Sequence, residues 1–208
     1  MRTEFIAAIK ANQSAFGIDL ADNAIERLAD YYELILEHNP ILHLVGPCSP
    51  EEFAIRHILE SLTLLEYLPP GVKFADVGAG AGLPSIACLL VRTDLKAVVI
   101  ESKNSKAGFL RTVLAKCKLT KRAHIFDRQF AELRKPDFTY VTCRAIDKFT
   151  EKLPQLLRWS GNCTLILFGG KSLREGLVQA MVKFEEKLLP MSEQRYLFYV
   201  SRTTEKVI

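Results

Sequence analysis

From Phe74 to Pro84 the chain reads Phe-Ala-Asp-Val-Gly-Ala-Gly-Ala-Gly-Leu-Pro, an apolar run that ends in an acid and then three glycines at every second position. Such a pattern lets a chain leave a strand, turn tightly and enter a helix with no Cβ between backbone and ligand, and Pro84 suits a first helical turn. The dinucleotide fingerprint G-x-G-x-x-G needs a small residue at 83, where this chain has Leu83, so a nicotinamide cofactor is disfavoured. No Lys-Ser/Thr pair follows, so the loop is not a Walker A phosphate cradle. S-adenosylmethionine, with a zwitterionic amino-acid tail, a ribose diol and a sulfonium, favours such close backbone approach with carboxylates nearby. Two acids fit it: Asp76 before the loop, and Glu101, which ends Val98-Val99-Ile100-Glu101 about 20 residues further on, where a carboxylate accepts both ribose hydroxyls. The plainer alternative is a tight turn beside a surface glutamate.

The elements that would position these residues divide at Pro69-Pro70-Gly71. Residues 1–70 read as a helical N-terminal extension and residues 71–208 as the cofactor-binding domain. The periodicity predicts helices over about 3–16, capped by Thr3, and about 20–38, stopped by Asn39-Pro40. A third runs from Ser49-Pro50-Glu51-Glu52, a capping box with proline at the first helical position, to about Tyr67. On it Phe53, Ile55, Ile58, Leu59 and Leu62 form an apolar stripe, and Arg56, His57, Glu60 and Ser61 fall on the other side. Beyond the break, strand-length runs at 72–77, 97–100, 124–126, 138–143, 163–168 and 196–200 alternate with helical patterns near 84–92, 103–117, 147–159 and 172–187. That alternation predicts an α/β, doubly wound, mostly parallel sheet, whose ligands bind beyond the carboxyl ends of the strands.

Composition sets the outer limits. The 208 residues are 49% hydrophobic and 25% charged, the make-up of a globular chain with one substantial core rather than a disordered one. No signal-type run and no apolar stretch of about 18 residues is present, so a cytoplasmic location and no membrane are expected. The five cysteines, Cys48, Cys88, Cys117, Cys143 and Cys163, include no C-x-x-C pair, so no metal is expected and four of them read as buried thiols. A net charge of +4 is compatible with a polyanionic partner without requiring one.

With these residues in view, the chain resembles the bacterial small-subunit (16S) ribosomal RNA guanine-N7 methyltransferases, also called glucose-inhibited division protein B, nearly end to end. The markers are Arg56-His57-Ile58-Leu59-Glu60-Ser61, the loop Asp76–Pro84, Lys106 followed by Phe109-Leu110, and Cys143-Arg144-Ala145. The resemblance implies a seven-stranded, Rossmann-like class I methyltransferase sheet and transfer of a methyl group to N7 of a guanosine in the decoding-region loop, by a monomer acting on the small ribosomal subunit. It implies cofactor contacts from Gly78, Leu83, Phe130, Ala131 and Arg144, with Glu101 at the ribose; Asp76, Gly80 and Gly82 complete the loop. Phe130 could instead be core and Arg144 a surface ion-pair partner. The sequence departs from the family pattern at His43-Leu44-Val45, at Glu60 where an aspartate is usual, and at Cys143 where a serine is usual. The first departure removes polar groups near the expected RNA entrance.

N7 of guanine presents an in-plane lone pair and no proton, so its methylation calls for alignment within about 3–3.5 Å and desolvation, and no catalytic base is named. The Asn/Asp-Pro-Pro-aromatic signature of exocyclic amine methylation is absent after the fourth strand. Cys143 beside Arg144 raises a rival, cytosine-C5 chemistry through a thiolate, against which stands a buried thiol in place of serine. Arg56 and His57 are candidates for RNA phosphate or a flipped guanosine, although Arg56 could simply pair with Glu60. Lys171, in the turn Gly169-Gly170-Lys171, and the cluster Lys116, Lys118, Lys121 and Arg122 are candidates for weak phosphate contact. Two other functions fit the same loop, a small-molecule methyltransferase with a helical lid and a non-enzymatic cofactor-binding module.

Overall fold

The computed structural model describes residues 1–134, 137–144 and 149–201. Its centre is a seven-stranded sheet in the order β3-β2-β1-β4-β5-β7-β6. Strands β1 (Lys73–Val77), β2 (Lys96–Ile100), β3 (Ala123–Phe126), β4 (Tyr140–Cys143) and β5 (Thr164–Gly169) run parallel, while β7 (Tyr196–Val200) lies antiparallel to β5 and to the edge strand β6 (Glu185–Leu188). The order reverses between β1 and β4, so the switch point falls beside the glycine loop.

Alternate side chains of the strands other than β6 enter two cores. Phe74, Val99, Ile166 and Leu197 face one, shared with α5 (Ser85–Val91), α6 (Asn104–Lys116) and the N-terminal helices. Ala75, Val98, Val141, Leu165 and Phe198 face the other, closed by α7 (Phe149–Trp159) and α8 (Lys171–Gln179). Both faces are covered, which is why these strands read as apolar runs rather than alternating ones.

The N-terminal helices depart from expectation in detail. Helix α1 (Arg2–Asn12) begins after Met1 with no side-chain cap, so Thr3 lies inside it. Helix α2 (Asp22–Leu42) passes through Pro40 and closes on His43 in the left-handed conformation, whose N–H reaches the Asn39 carbonyl. Pro40 has no N–H to give the Leu36 carbonyl, and the helix nevertheless continues through it to Leu42. The third helical run is α3 (Pro50–Glu52), a π-helical stretch (Phe53–Leu59), α4 (Glu60–Leu62) and a 3-10 turn (Thr63–Tyr67). Ser49 caps it by accepting from the Glu52 N–H, the first half of the predicted capping box, while the Glu52 carboxylate pairs with Arg56.

Near the C-terminus, α8 stops at Gln179 and residues 185–188 form β6, where helix was expected to continue to 187. Glu-Glu-Lys-Leu carries helix-forming residues, and all four are exposed at the sheet edge, so neither propensity nor burial marks them as strand. Residues 147–148 of the predicted 147–159 helix, Ala145 of the Cys143-Arg144-Ala145 marker and residues 202–208 lie outside the described residues.

Candidate cofactor and acceptor site

The loop after β1 is held from both sides. The N–H groups of Gly78 and Ala79 donate to the Ile100 carbonyl at 2.9 and 3.1 Å, and Gly78, Gly80 and Gly82 all have positive φ. The glycines do different work. A Cβ on Gly80 would meet only a loop carbonyl at 3.9 Å, whereas one on Gly82 would lie 2.5 Å from Ile86 Cγ1 and 3.0 Å from Leu110 Cδ2. Gly82 therefore lets α5 and α6 approach the loop and does not face a ligand. Leu83 is buried, and the Tyr31 hydroxyl donates to the Ala81 carbonyl at 2.7 Å.

Glu101 is the clamp of this region. Its Oε2 accepts from the Gly80 N–H at 2.9 Å and its Oε1 from the Lys103 N–H at 2.8 Å, with the side chain 7% exposed. Each oxygen keeps a second lone pair, so a carboxylate already fixed by two backbone donors can accept from a vicinal diol. Beside it is a cleft lined by Gly78, Ile100, Ser102, Gln129 and Phe130, with Lys152 from α7. Phe130 is both core and lining: it is 5% exposed and meets Trp159 edge-on at 5.3 Å, while Ala131 next to it is exposed. Lys152 was not singled out from sequence, because a lysine on an amphipathic helix carries no local signal of a ligand.

Asp76 sits deeper. Its Oδ2 accepts from the Ser85 N–H at 3.2 Å, and Oδ1 has no partner. Thr142, its register neighbour on β4, has an equally unpartnered buried hydroxyl. Burial pushes the Asp76 carboxyl up to about 6, against the hydrogen bonds from Ser85. Asp76 thus braces the start of α5 and does not itself open on the cleft.

Arg144, directly after β4, points into the third helical run. One terminal nitrogen donates to Ser61 Oγ at 2.7 Å and the His57 carbonyl at 3.3 Å; the other donates to the Arg56 carbonyl and approaches Glu60 Oε2 at 3.2 Å. Glu60 is 1% exposed, and its Oε1 also takes Nε and Nη2 of Arg195 at 2.8 and 2.7 Å. Two guanidiniums on one buried carboxylate satisfy the charge that would otherwise be unaffordable there. The expected pairing of Arg56 with Glu60 does not occur: Arg56 is exposed and pairs with Glu52, one turn back. The expected single polar stripe is split, because Glu60 and Ser61 turn inward to Arg144 while Arg56 stays outside. His57 is half-buried against Phe53, and burial followed by Arg144, Arg56 and Arg195 pushes it down to about 4.

The remaining candidates separate clearly. Lys171 begins α8 at the carboxyl end of β5, exposed and 3.8 Å from Glu175. Arg122 is structural, its guanidinium donating to the carbonyls of Leu89, Arg92 and Leu95. Cys143 and Cys88 are fully buried and Cys163 is buried, but Cys48 and Cys117 are only half-buried, against the expectation of four buried thiols besides Cys143. At the tip of α2, Asn39 Oδ1 accepts from both the Leu44 and Val45 N–H groups and Lys106 reaches the His43 carbonyl, so the backbone there is set without polar side chains at 43–45. A separate concavity of about 500 Å³ is lined by Arg27, Glu37, Leu90, Lys116 and Cys117, and shares no lining residue with the cleft. No group of three metal-ligating side chains occurs, and no helix is long and apolar enough to cross a membrane, among the described residues.

Strand order, the glycine loop at the switch point and an acid ending the second strand define a class I methyltransferase fold. Solved structures agree on the fold: an S-adenosylmethionine-dependent methyltransferase from Aquifex aeolicus (TM-score 0.56, 16% identity, 73% of this chain and 93% of that one) and a ribosomal protein L11 methylase from Lactobacillus delbrueckii subsp. bulgaricus (0.55, 14%, 72% and 79%). More specifically, residues 24–195 match the family described as GidB, rRNA small subunit methyltransferase G, and the chain belongs to that family. Ribosomal RNA small subunit methyltransferase G of Sorangium cellulosum is 34% identical over 177 residues, covering 80% of this chain and 73% of that protein. That of Chromobacterium violaceum is 29% identical over 145 residues, covering 70% and 69%.

Proposed function

We infer that this protein transfers the methyl group of S-adenosylmethionine to N7 of a guanosine in the decoding-region loop of small-subunit rRNA, as a cytoplasmic monomer. The family match supports the acceptor. The observation that carries the cofactor is the Glu101 carboxylate, fixed by the Gly80 and Lys103 N–H groups beside the Phe130 cleft. Gly78, Gly80 and Leu83 form the backbone wall, Glu101 takes the ribose, and Phe130 with the Ala131 backbone takes the adenine.

The cofactor supplies an electrophilic methyl, and the protein supplies position and dryness. Arg144, anchored to the Arg56–Ser61 segment, fixes the acceptor side of the cleft against the end of β4. Arg56, His57 and Lys171 face the RNA. No base is required, in keeping with a His57 that stays neutral and already lies near 4 and with an Asp76 sealed from the cleft. Cys143, fully buried, is no nucleophile, and a Cys143→Ser variant should methylate at the wild-type rate.

Labelled S-adenosylmethionine, incubated in turn with small subunits lacking the modification and with a pool of metabolites, tests the reading. Label in small-subunit rRNA is expected. Label only in a small molecule would assign a metabolite methyltransferase, and cofactor binding without any transfer would assign a binding module.

A further inference from the structure

Arg195, which no sequence motif marks, lies just before β7 and is brought by the fold against the third helical run. With Arg56 it lines a groove of about 260 Å³ between that run and the β6–β7 connection, walled also by Ile55 and Met191. We propose that this groove is a subsite for one nucleotide of single-stranded RNA beside the transfer site, its phosphate held by Arg195 and Arg56 and its base laid on Ile55 and Met191. The proposal rests on the rRNA methyltransferase reading and adds residues to it.

Three observations carry it. Arg195 is not a loose surface charge: Nε and Nη2 are fixed on Glu60, which is 1% exposed, and Nη1 has no hydrogen-bond partner among the described residues. A guanidinium so oriented presents a pre-set donor to a phosphate oxygen. Second, the groove joins the site already described through one carboxylate, since the same Glu60 holds Arg144. Third, the surface is suitable. Glu51 and Glu52 also line the groove, but Glu52 is paired with Arg56. Met191 is 56% exposed, an unusual display for a large apolar side chain and a natural platform for a base.

The test is binding of the full chain to a protein-free small-subunit rRNA fragment containing the decoding loop, across a salt series, with S-adenosylmethionine affinity measured in parallel. Arg195→Gln and Arg56→Gln should each weaken RNA binding several-fold at low salt and reduce the slope of log K against log salt by about 0.7, one single-strand phosphate contact each. Cofactor affinity should stay within about twofold, and Lys96→Gln, exposed at the amino end of β2, should leave the slope unchanged. Arg56 makes no contact with Glu60, so its variant tests the groove even if Arg195→Gln disturbs folding. Wild-type slope and affinity in both arginine variants would overturn the subsite while leaving the functional reading intact. So would a parallel loss of cofactor affinity, which would move Arg195 into the cofactor site. A wild-type chain that binds no rRNA at any salt would sink the functional reading and the subsite together.

Discussion

Glu101 and Asp76 are two acids about one loop with different duties, and the difference lies in what each oxygen touches. Glu101 takes a backbone donor on each oxygen and sits between two residues that line the cleft, Ile100 and Ser102; Asp76 is fully buried with one oxygen unpartnered. Glu101→Gln keeps the shape but loses the charge-assisted bonds, so cofactor affinity should fall by about 10-fold to 100-fold, on the order of 1.5–3 kcal/mol. Titration calorimetry on the folded variant checks this, and a Kd within about twofold of wild type would remove Glu101 from the ribose position. Asp76 makes a prediction about pH instead. An unfolded aspartate ionises near 3.8 and this one near 6, so between those values the native chain keeps a proton the unfolded chain has lost. Stability contributed at this site therefore falls as pH rises through that window, by at most about 3 kcal/mol at roughly 1.4 kcal/mol per unit. Urea denaturation of wild type and an Asp76→Asn variant from pH 4 to pH 7 should show the variant gaining on wild type across that range; parallel curves would refute it. The glycines and both acids were legible because the chemistry is written in local spacing. The partners of Arg144 were not, since they lie more than 80 residues away and only folding brings them together.

Among elements, the third helical run joins the parts of the site. Its cap at Ser49 could be read from four consecutive residues, but the π-helical stretch over Phe53–Leu59 could not, because an i→i+5 register leaves no clear mark in an apolar stripe. That register accompanies the inward turn of Glu60 and Ser61, which the sequence periodicity placed on a common face with Arg56. Glu60, a departure from the family's usual aspartate, bridges Arg144 and Arg195 in this chain. Glu60→Ala would leave two guanidiniums without their shared carboxylate and should cost about 3–5 kcal/mol, whereas Ser49→Ala, which removes only an exposed cap, should cost about 1 kcal/mol. Chemical denaturation of the two variants compares them directly, and equal losses would mean that the bridge holds nothing together. The buried strands were legible as apolar runs, whereas β6 was not, because an exposed edge strand of charged residues carries no burial pattern.

At the scale of the whole molecule, the alternation of strand and helix foretold the doubly wound sheet, and the switch point foretold where the ligand site would lie. What alternation could not show is that the N-terminal helices share a core with one face of that sheet, with Phe5, Tyr32 and Phe53 in the same cluster as Phe74 and Ile166. They are consequently packed on the sheet, and the third helical run meets Arg144 after β4 through Arg56, Glu60 and Ser61. The backbone at His43-Leu44-Val45 is held through Asn39 and Lys106. The most direct measurement is of the methylated base itself. Small-subunit rRNA treated with this protein and S-adenosylmethionine, then subjected to reduction and amine-catalysed strand scission, which cuts at 7-methylguanosine, should yield one new break at one guanosine of the decoding-region loop. Methyl label retained in rRNA that shows no such break would contradict N7 as the site of transfer.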